Sequence, residues 1–234
     1  MWTRRFCNFA LRILFKILLK VEIIGLENVP LEGPLILMIT HTNFLDPVLA
    51  GGLMPREVVM MSKAENFRHP ILGILVRLYG AFPVRRGEVD RQAIQCSLEV
   101  LANDEVLLMA PEGTRSGHGR LQKGHDGMTF LALRADAPIL PMAIVGGEGF
   151  WANLPRLRRT AVKIVIGQVF RFSSGKEPVR RATMRKMTEE AMYQLASLLP
   201  PERRGVYSEL DSATEEHLAF PPGSSSNLAQ GPRS

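Results

Sequence analysis

Two short polar segments have residue types and positions that suit chemistry at the ends of strands. HTNFLD, residues 41–46, follows the apolar run LILMIT, and PEGTRS, residues 111–116, follows EVLLMA. A histidine and a carboxylate at a strand exit can supply a general base and its orienting partner, and a Glu-Gly-Thr-Arg turn can hold a phosphate. Because ligands of open α/β sheets bind at the carboxyl ends of strands, we expect both segments to face one crevice.

The spacing of His41 and Asp46 restricts how the two side chains can meet. Five residues turn an α-helix by about 140°, so the pair cannot share one helical face. The intervening Thr42 and Asn43, and the Asp46-Pro47 step, permit a turn that brings them together. Imidazole exchanges protons near neutral pH, and a carboxylate can hold its tautomer. The alternative from this segment alone is an Asp46 helix cap beside a solvated His41.

Four segments occur in the order of the motifs of the glycerolipid acyltransferase family, which the chain resembles over roughly residues 30–170. The matching residues are His41 and Asp46 for the His-x4-Asp motif, Arg86 in GAFPVRR for the second motif, Pro111 to Arg115 for Pro-Glu-Gly-Thr-Arg, and Pro141 in ILPMAIV for the fourth. Thr40 and Arg85 depart from the residues that this family usually has beside its first and second motifs. PEGTRS is the rarest of these segments and is the strongest sign of the resemblance.

The resemblance implies a role for each matching residue. His41 and Asp46 would be catalytic, and Arg115 and Arg86 would bind the acceptor phosphate, since guanidinium groups pair with phosphate oxygens in a planar fork. The other implied substrate-binding residues are Glu112, Gly113, Thr114, Lys123 and Pro141. For Lys123 a plain surface position is an equally good interpretation.

The resemblance also implies a reaction. It is the transfer of a fatty acyl group from acyl-CoA or acyl carrier protein to the free hydroxyl of 1-acyl-sn-glycerol-3-phosphate, giving phosphatidic acid for phospholipid biosynthesis. The chain has no G-x-S-x-G elbow, so we expect direct transfer without a covalent intermediate, a metal or a cofactor. The alternatives are an acyltransferase of the same fold for another lysolipid or polar acceptor, and a non-catalytic lipid-binding relative.

Composition narrows the class of partner. The 234 residues carry a net charge of +6, which favours phosphates and anionic lipid surfaces. Nucleic acid is disfavoured because the basic residues do not alternate with aromatic ones. Cys7 and Cys96 cannot build a disulfide framework, which fits a reducing cytoplasm. His69, His118 and His125 are too scattered in the sequence for a metal site.

The N-terminal segment predicts an amphipathic helix over residues 1–24. A stripe of Arg5, Arg12, Lys16 and Lys20 lies opposite a wide apolar face containing Phe6, Ile13, Leu14, Ile17 and Leu18. This pattern is typical of a helix in a membrane interface. No apolar stretch is long enough to span a bilayer, so we expect a peripheral membrane protein on the cytoplasmic face. The alternative is a helix packed on its own domain.

Strand and helix patterns alternate between residues 25 and 200. They predict a single layered α/β domain with a mixed, largely parallel central sheet flanked by helices. Pro83 places the strand at 79–84 at a sheet edge. Residues 201–234 contain PPGSSS and little apolar periodicity, so we expect a disordered tail.

Overall fold

Helices and strands alternate along most of the chain in the computed structural model, which describes residues 2–85, 87, 89–173 and 179–230. The α-helices are α1 (Trp2–Leu18), α2 (Leu45–Leu53), α3 (Leu72–Tyr79), α4 (Arg91–Ala102), α5 (Gly127–Ala135), α6 (Phe150–Asn153) and α7 (Arg181–Ala196). The strands are β1 (Leu19–Ile24), β2 (Leu35–Ile39), β3 (Val58–Lys63), β4 (Phe82–Val84), β5 (Val106–Met109), β6 (Ile139–Gly146), β7 (Thr160–Ile166), β8 (Arg171–Phe172) and β9 (Leu218–Ala219).

The central sheet has seven strands in the order β1-β7-β6-β2-β5-β3-β4. Only the β6–β7 pair among these is antiparallel, and the neighbouring pairs are parallel. The predicted mixed, largely parallel sheet flanked by helices is therefore confirmed. The strand containing Pro83 lies at the outer edge, as predicted, because a proline cannot donate to a second neighbour.

β1 corrects the predicted domain boundary. The sequence predicts one amphipathic helix over residues 1–24, but the helix ends at Leu18 and residues 19–24 join the sheet beside β7. Val21, Ile23 and Ile24 are β-branched and favour an extended strand. The sheet therefore begins at Leu19.

The sheet is covered on both faces, and β2 shows how the core is divided. Leu35, Leu37 and Ile39 pack with Phe15 of α1 and with α2. Ile36 and Met38 point the other way, towards α4, α5 and α7. All five side chains are fully buried, so β2 is a central strand with the continuous apolar sequence that burial on both faces requires.

Helix α1 packs on its own domain with one face and exposes an apolar face to solvent with the other. It packs on the domain, where Arg12 Nε donates to Gly52 O (2.8 Å) and Arg4 Nε donates to Tyr79 O (3.0 Å). Its other face is apolar and exposed, with Phe6 at 72% and Ile17 at 62% accessibility. Part of the predicted basic stripe thus binds the domain, whereas Lys16 and Lys20 remain exposed.

Helix α3 lies against α1 and extends this apolar exposure. The side chains of the two helices form what we call the α1/α3 surface: Phe6, Phe9, Ile13, Leu14, Ile17, Ile71, Ile74, Leu75 and Leu78, all exposed. Contiguous exposed apolar area of this kind marks an interaction site. Within the described ranges, no helix has the length and apolar content needed to cross a bilayer.

The expectation of a disordered tail is wrong for residues 201–230. This segment packs over α7, where buried Glu190 accepts hydrogen bonds from Thr214 Oγ1 (2.8 Å), Glu216 N (3.1 Å) and His217 N (3.0 Å). Tyr207 is buried against Tyr193, with ring centroids 5.2 Å apart. Residues 231–234 lie outside the described residues. Single polar and aromatic anchors hold the segment, and these leave no periodic pattern in the sequence.

Replacing Glu190 with alanine should loosen the C-terminal segment. The change removes the buried carboxylate that accepts from Thr214, Glu216 and His217. Hydrogen bonds to a charged group contribute about 1.5–3 kcal/mol each. We expect a lower melting temperature and faster proteolysis between residues 201 and 220, measured by limited trypsin digestion. Glu189→Ala is the matched control because Glu189 is exposed on the same helix. Equal digestion of the two variants would contradict the role of Glu190.

Candidate active site

The predicted turn between His41 and Asp46 is present at the carboxyl end of β2. Asp46 lies in the first turn of α2, and its Oδ2 accepts hydrogen bonds from Thr42 N (2.6 Å) and Asn43 N (2.8 Å). The same oxygen is 3.8 Å from His41 Nδ1. The carboxylate is fully buried, and the imidazole is 12% exposed. The turn therefore places a histidine against a fixed buried carboxylate.

Glu112 joins the loops that follow β2 and β5. Its Oε1 accepts from His41 N (3.3 Å), and its Oε2 accepts from Gln122 N (2.9 Å). Ser116 N also donates to His41 O (2.8 Å). Both oxygens bind backbone N–H groups and the residue is 2% exposed. The role in the acceptor pocket that the resemblance implies for Glu112 stays a prediction. Its position in the structure is that of an internal support for the His41 turn.

Burial has an electrostatic consequence for this carboxyl group. It raises the pKa of Glu112 from 4.5 to about 7, because the charged form is desolvated. The two backbone hydrogen bonds act in the opposite direction, and the nearby Asp46 charge adds to the increase. Glu112 therefore changes its protonation state near neutral pH.

Two residues that the sequence analysis left without a role belong to this site. Thr40 Oγ1 accepts from Ile144 N (2.9 Å), which ties the end of β2 to β6. Ser116 is 1% exposed, and its hydroxyl has no hydrogen-bond partner among the described residues. His41 Nδ1 and Asp46 Oδ1 are likewise buried without a hydrogen bond in that part of the chain. Ser116 stands in PEGTRS, so the motif contained a signal for it, whereas Thr40 had none beyond its place beside His41.

The other predicted residues of PEGTRS lie on the outside of the same loop. Gly113 has φ of +68°, a backbone conformation that favours glycine. Thr114 and Arg115 are exposed, and Arg115 forms no hydrogen bond or ion pair with any described residue. Lys123 is also exposed, one residue before the buried Gly124. The loop thus presents free cationic groups beside the His41 turn.

Pro141 and Arg86 are the remaining predicted residues. Pro141 is buried inside β6, where its carbonyl accepts from Gly167 N (2.9 Å) and its register partner in β2 is Met38. A direct role for Pro141 in substrate binding stays a prediction. Arg86 lies outside the described residues, so its predicted phosphate contact stays a prediction as well.

The arrangement is suited to removing a proton from a bound hydroxyl next to an anion. An imidazole beside a buried carboxylate can act as a general base. The exposed Arg115 and Lys123 lie on the segment that Ser116 N ties to His41 O, and cationic groups of this kind can pair with a phosphate. Among the described residues, no three His, Cys, Asp or Glu side chains are grouped in a way that would hold a metal ion.

A family model described as Acyltransferase matches residues 20–145, which is more than half of the chain. The chain belongs to the acyltransferase family. The match includes the His41 turn, the Glu112 loop and Pro141, so the site described above lies inside the family domain. Membership makes the protein an O-acyltransferase.

Named relatives and one solved structure resemble this acyltransferase. The 1-acyl-sn-glycerol-3-phosphate acyltransferase of Bacillus subtilis is 26% identical over 165 residues, or 70% of this chain and 80% of that protein. The Streptococcus pneumoniae protein of the same name is 28% identical over 183 residues, or 77% of this chain and 62% of that protein. The crystal structure of the 1-acyl-sn-glycerophosphate (LPA) acyltransferase PlsC from Thermotoga maritima matches with a TM-score of 0.58 at 22% identity, covering 91% of this chain and 79% of that one. That structural match supports the fold.

Replacing Glu112 with glutamine should change how stability depends on pH. The pKa of Glu112 is 4.5 when unfolded and about 7 when folded, so the wild type loses stability as pH rises from 4.5 to 7. The difference corresponds to about 3 kcal/mol. Glutamine cannot ionise, so we expect the melting temperature of Glu112→Gln, relative to wild type, to increase over this interval.

The control for this experiment is Glu202→Gln, which removes an exposed carboxylate. Thermal unfolding at half-unit pH steps gives the three curves. A constant offset between Glu112→Gln and wild type from pH 4.5 to 8 would show that Glu112 is not neutralised by burial.

Proposed function

We propose that this acyltransferase moves a fatty acyl group from an acyl thioester, acyl-CoA or acyl carrier protein, to the free hydroxyl of 1-acyl-sn-glycerol-3-phosphate. The product would be phosphatidic acid. The single observation that carries the proposal is the meeting of the His41–Asp46 pair with the exposed Arg115 loop at one edge of the sheet. The names of the Bacillus and Streptococcus relatives support the same acceptor.

His41 would remove the proton from the acceptor hydroxyl. The hydroxyl oxygen would then attack the thioester carbonyl, and the thiol would leave after the tetrahedral intermediate collapses. Asp46 would stabilise the imidazolium and fix its orientation, since its carboxylate is 3.8 Å from Nδ1 and is held by backbone N–H groups. Because the acceptor attacks directly, the reaction needs no covalent acyl-enzyme.

Arg115 would bind the acceptor phosphate, with Arg86 and Lys123 as further cationic contacts. Arg115 suits this role because its guanidinium is exposed and has no partner among the described residues. The Ser116 N–H to His41 carbonyl bond of 2.8 Å fixes the spacing between this loop and the base. The phosphate would therefore position the glycerol hydroxyl relative to His41.

The α1/α3 surface would hold the enzyme on the cytoplasmic face of a membrane as a peripheral protein. Its acceptor carries a long acyl chain, so the enzyme must collect it from a bilayer. Exposed Phe and Ile side chains contribute about 1.5–3 kcal/mol each when fully buried, and the exposed Lys16 and Lys20 can add attraction to anionic lipids.

Replacing His41 with alanine should abolish acyl transfer while donor binding survives. Loss of a general base costs about 10²–10⁴-fold in rate. Asp46→Asn should also be severely impaired, because the amide cannot stabilise an imidazolium. The measurement is transfer of a labelled acyl group in detergent micelles, with donor binding measured separately by calorimetry.

His69→Ala is the matched control, because His69 is exposed and lies outside the His41 turn. Near wild-type turnover by a folded His41→Ala protein would overturn the mechanism. The same assay over a panel of lysolipids and both donor classes tests the acceptor. Faster transfer to a lysolipid without a terminal phosphate would favour the second candidate, an acyltransferase of the same fold for another acceptor.

Charged substitutions in α1 should release the protein from vesicles. Deleting residues 1–20 would remove the start of β1, so the sharper change is Ile13→Asp with Ile17→Asp, both on the exposed face. We expect weaker co-sedimentation with anionic vesicles, and high salt should weaken wild-type binding without eliminating it. Leu31→Asp is the control, because Leu31 is 73% exposed at the opposite edge of the sheet. Unchanged binding by the α1 variant would exclude this surface as the anchor.

A further inference from the structure

The turn between α6 and β7 exposes large apolar side chains that the proposed α1/α3 surface does not include. Leu157 is 90% exposed and Trp151 is 67% exposed. The Trp151 ring packs edge-on against Phe150 at 5.1 Å between centroids. This contact holds one side of the indole, and the rest of the ring faces solvent. We call Trp151 and residues 154–159 the α6–β7 turn.

Leu157 has an unfavourable backbone conformation for its side chain. Its φ is +52°, in the left-handed region, where glycine and asparagine are the usual residues. The turn is held by hydrogen bonds from Leu157 N to Leu154 O (3.1 Å) and from Arg158 N to Asn153 O (3.1 Å). Because the Leu157 side chain is not buried in the folded protein, packing does not explain why a leucine occupies this strained position.

The α6–β7 turn lies at the same edge of the sheet as the candidate active site. β7 is antiparallel to β6, so β7 begins at the edge where β2 and β6 end. Asn43 Nδ2, in the His41 turn, donates to Gly146 O (3.5 Å) just before α6. On the other side, Arg159 Nε donates to Leu19 O (2.9 Å) where α1 ends. The turn therefore connects the site to the end of the α1/α3 surface at Ile17.

The charges of this region match an anionic lipid surface. Arg156 and Arg158 flank Leu157, both are exposed, and neither has a hydrogen bond or ion pair with any described residue. Lys16, in the last turn of α1, and Lys20, at the start of β1, are also exposed. Apolar side chains between free cations are the pattern of a segment that inserts between anionic headgroups.

We infer that the α6–β7 turn is a second membrane-insertion point, with Trp151 and Leu157 in the bilayer interface and Arg156 and Arg158 on anionic headgroups. The inference rests on the proposed membrane association through the α1/α3 surface. A second contact beside the Ile17 end of the α1/α3 surface would fix the orientation of the site relative to the bilayer, whereas the α1/α3 surface alone would leave it free to tilt.

Tryptophan fluorescence tests the insertion directly. The chain has two tryptophans, so Trp2→Phe leaves Trp151 as the sole probe. Vesicles of phosphatidylcholine with phosphatidylglycerol, with and without bromine on the acyl chains, report contact with the hydrocarbon. We expect a blue shift on vesicle binding and quenching by the brominated lipid. Binding without either change would overturn the inference.

Substitutions of Leu157 separate insertion from folding. We expect Leu157→Asp to weaken vesicle partitioning about tenfold, since a leucine-sized burial is lost and a charge is added. Leu157→Gly should also bind more weakly, while its melting temperature equals or exceeds that of wild type because glycine relieves the left-handed strain. Leu31→Asp is the matched control, because Leu31 is also an exposed leucine, and it should bind like wild type.

The possible results distinguish this inference from the proposals on which it depends. If both Leu157 variants bind vesicles like wild type while the α1 variant binds more weakly, insertion of the α6–β7 turn is wrong and the contact through the α1/α3 surface stands. An unchanged vesicle affinity combined with a higher KM for acyl carrier protein would assign the turn to a protein donor and also overturn it. Wild-type transfer to a water-soluble, short-chain lysolipid measures the catalytic proposal independently of either membrane contact.

Discussion

The candidate site depends on one buried carboxyl group. Glu112 accepts a hydrogen bond from the backbone of His41 with one oxygen and from that of Gln122 with the other. Two segments that are distant in the sequence, the His41 turn and residues 112–122, therefore meet on one side chain. Its burial raises its pKa to about 7, because the charged form is desolvated. The positions of the histidine and of the Arg115 loop follow from it.

The two carboxyl groups of the site, those of Asp46 and Glu112, have different surroundings. Asp46 lies in the first turn of α2, receives N–H groups from its own loop and faces an imidazole. Glu112 accepts hydrogen bonds only from backbone N–H groups among the described residues, and it connects the loops that follow β2 and β5. A sequence motif records both as acids beside other polar residues. The difference between a carboxylate beside an imidazole and a carboxyl group that connects two loops arises only from where the strands place them.

Local patterns were sufficient for the features that depend on neighbours in the sequence. The His41 turn, the edge position of Pro83 and the alternation of strands and helices were predicted from such patterns. β1 was missed because its six residues continue an amphipathic run, and only pairing with β7 makes them a strand. The ordered C-terminal segment was missed because its anchors, Glu190 and Gln194, belong to α7 and act through single hydrogen bonds. Contacts between distant segments produce no apolar periodicity in the sequence from which they could be predicted.

The pairing of β1 with β7 has a consequence for how the chain is made. Leu19 and Arg159, which contact each other in the folded protein, are 140 positions apart. During synthesis, α1 and β1 are translated well before β7, so β1 pairs with its neighbour only after most of the domain has been made. Throughout that interval the apolar residues of α1 and β1 have no complete sheet to pack against. Contacts between segments this far apart in the sequence form slowly. The topology therefore makes the joining of β1 to the sheet a late step in folding.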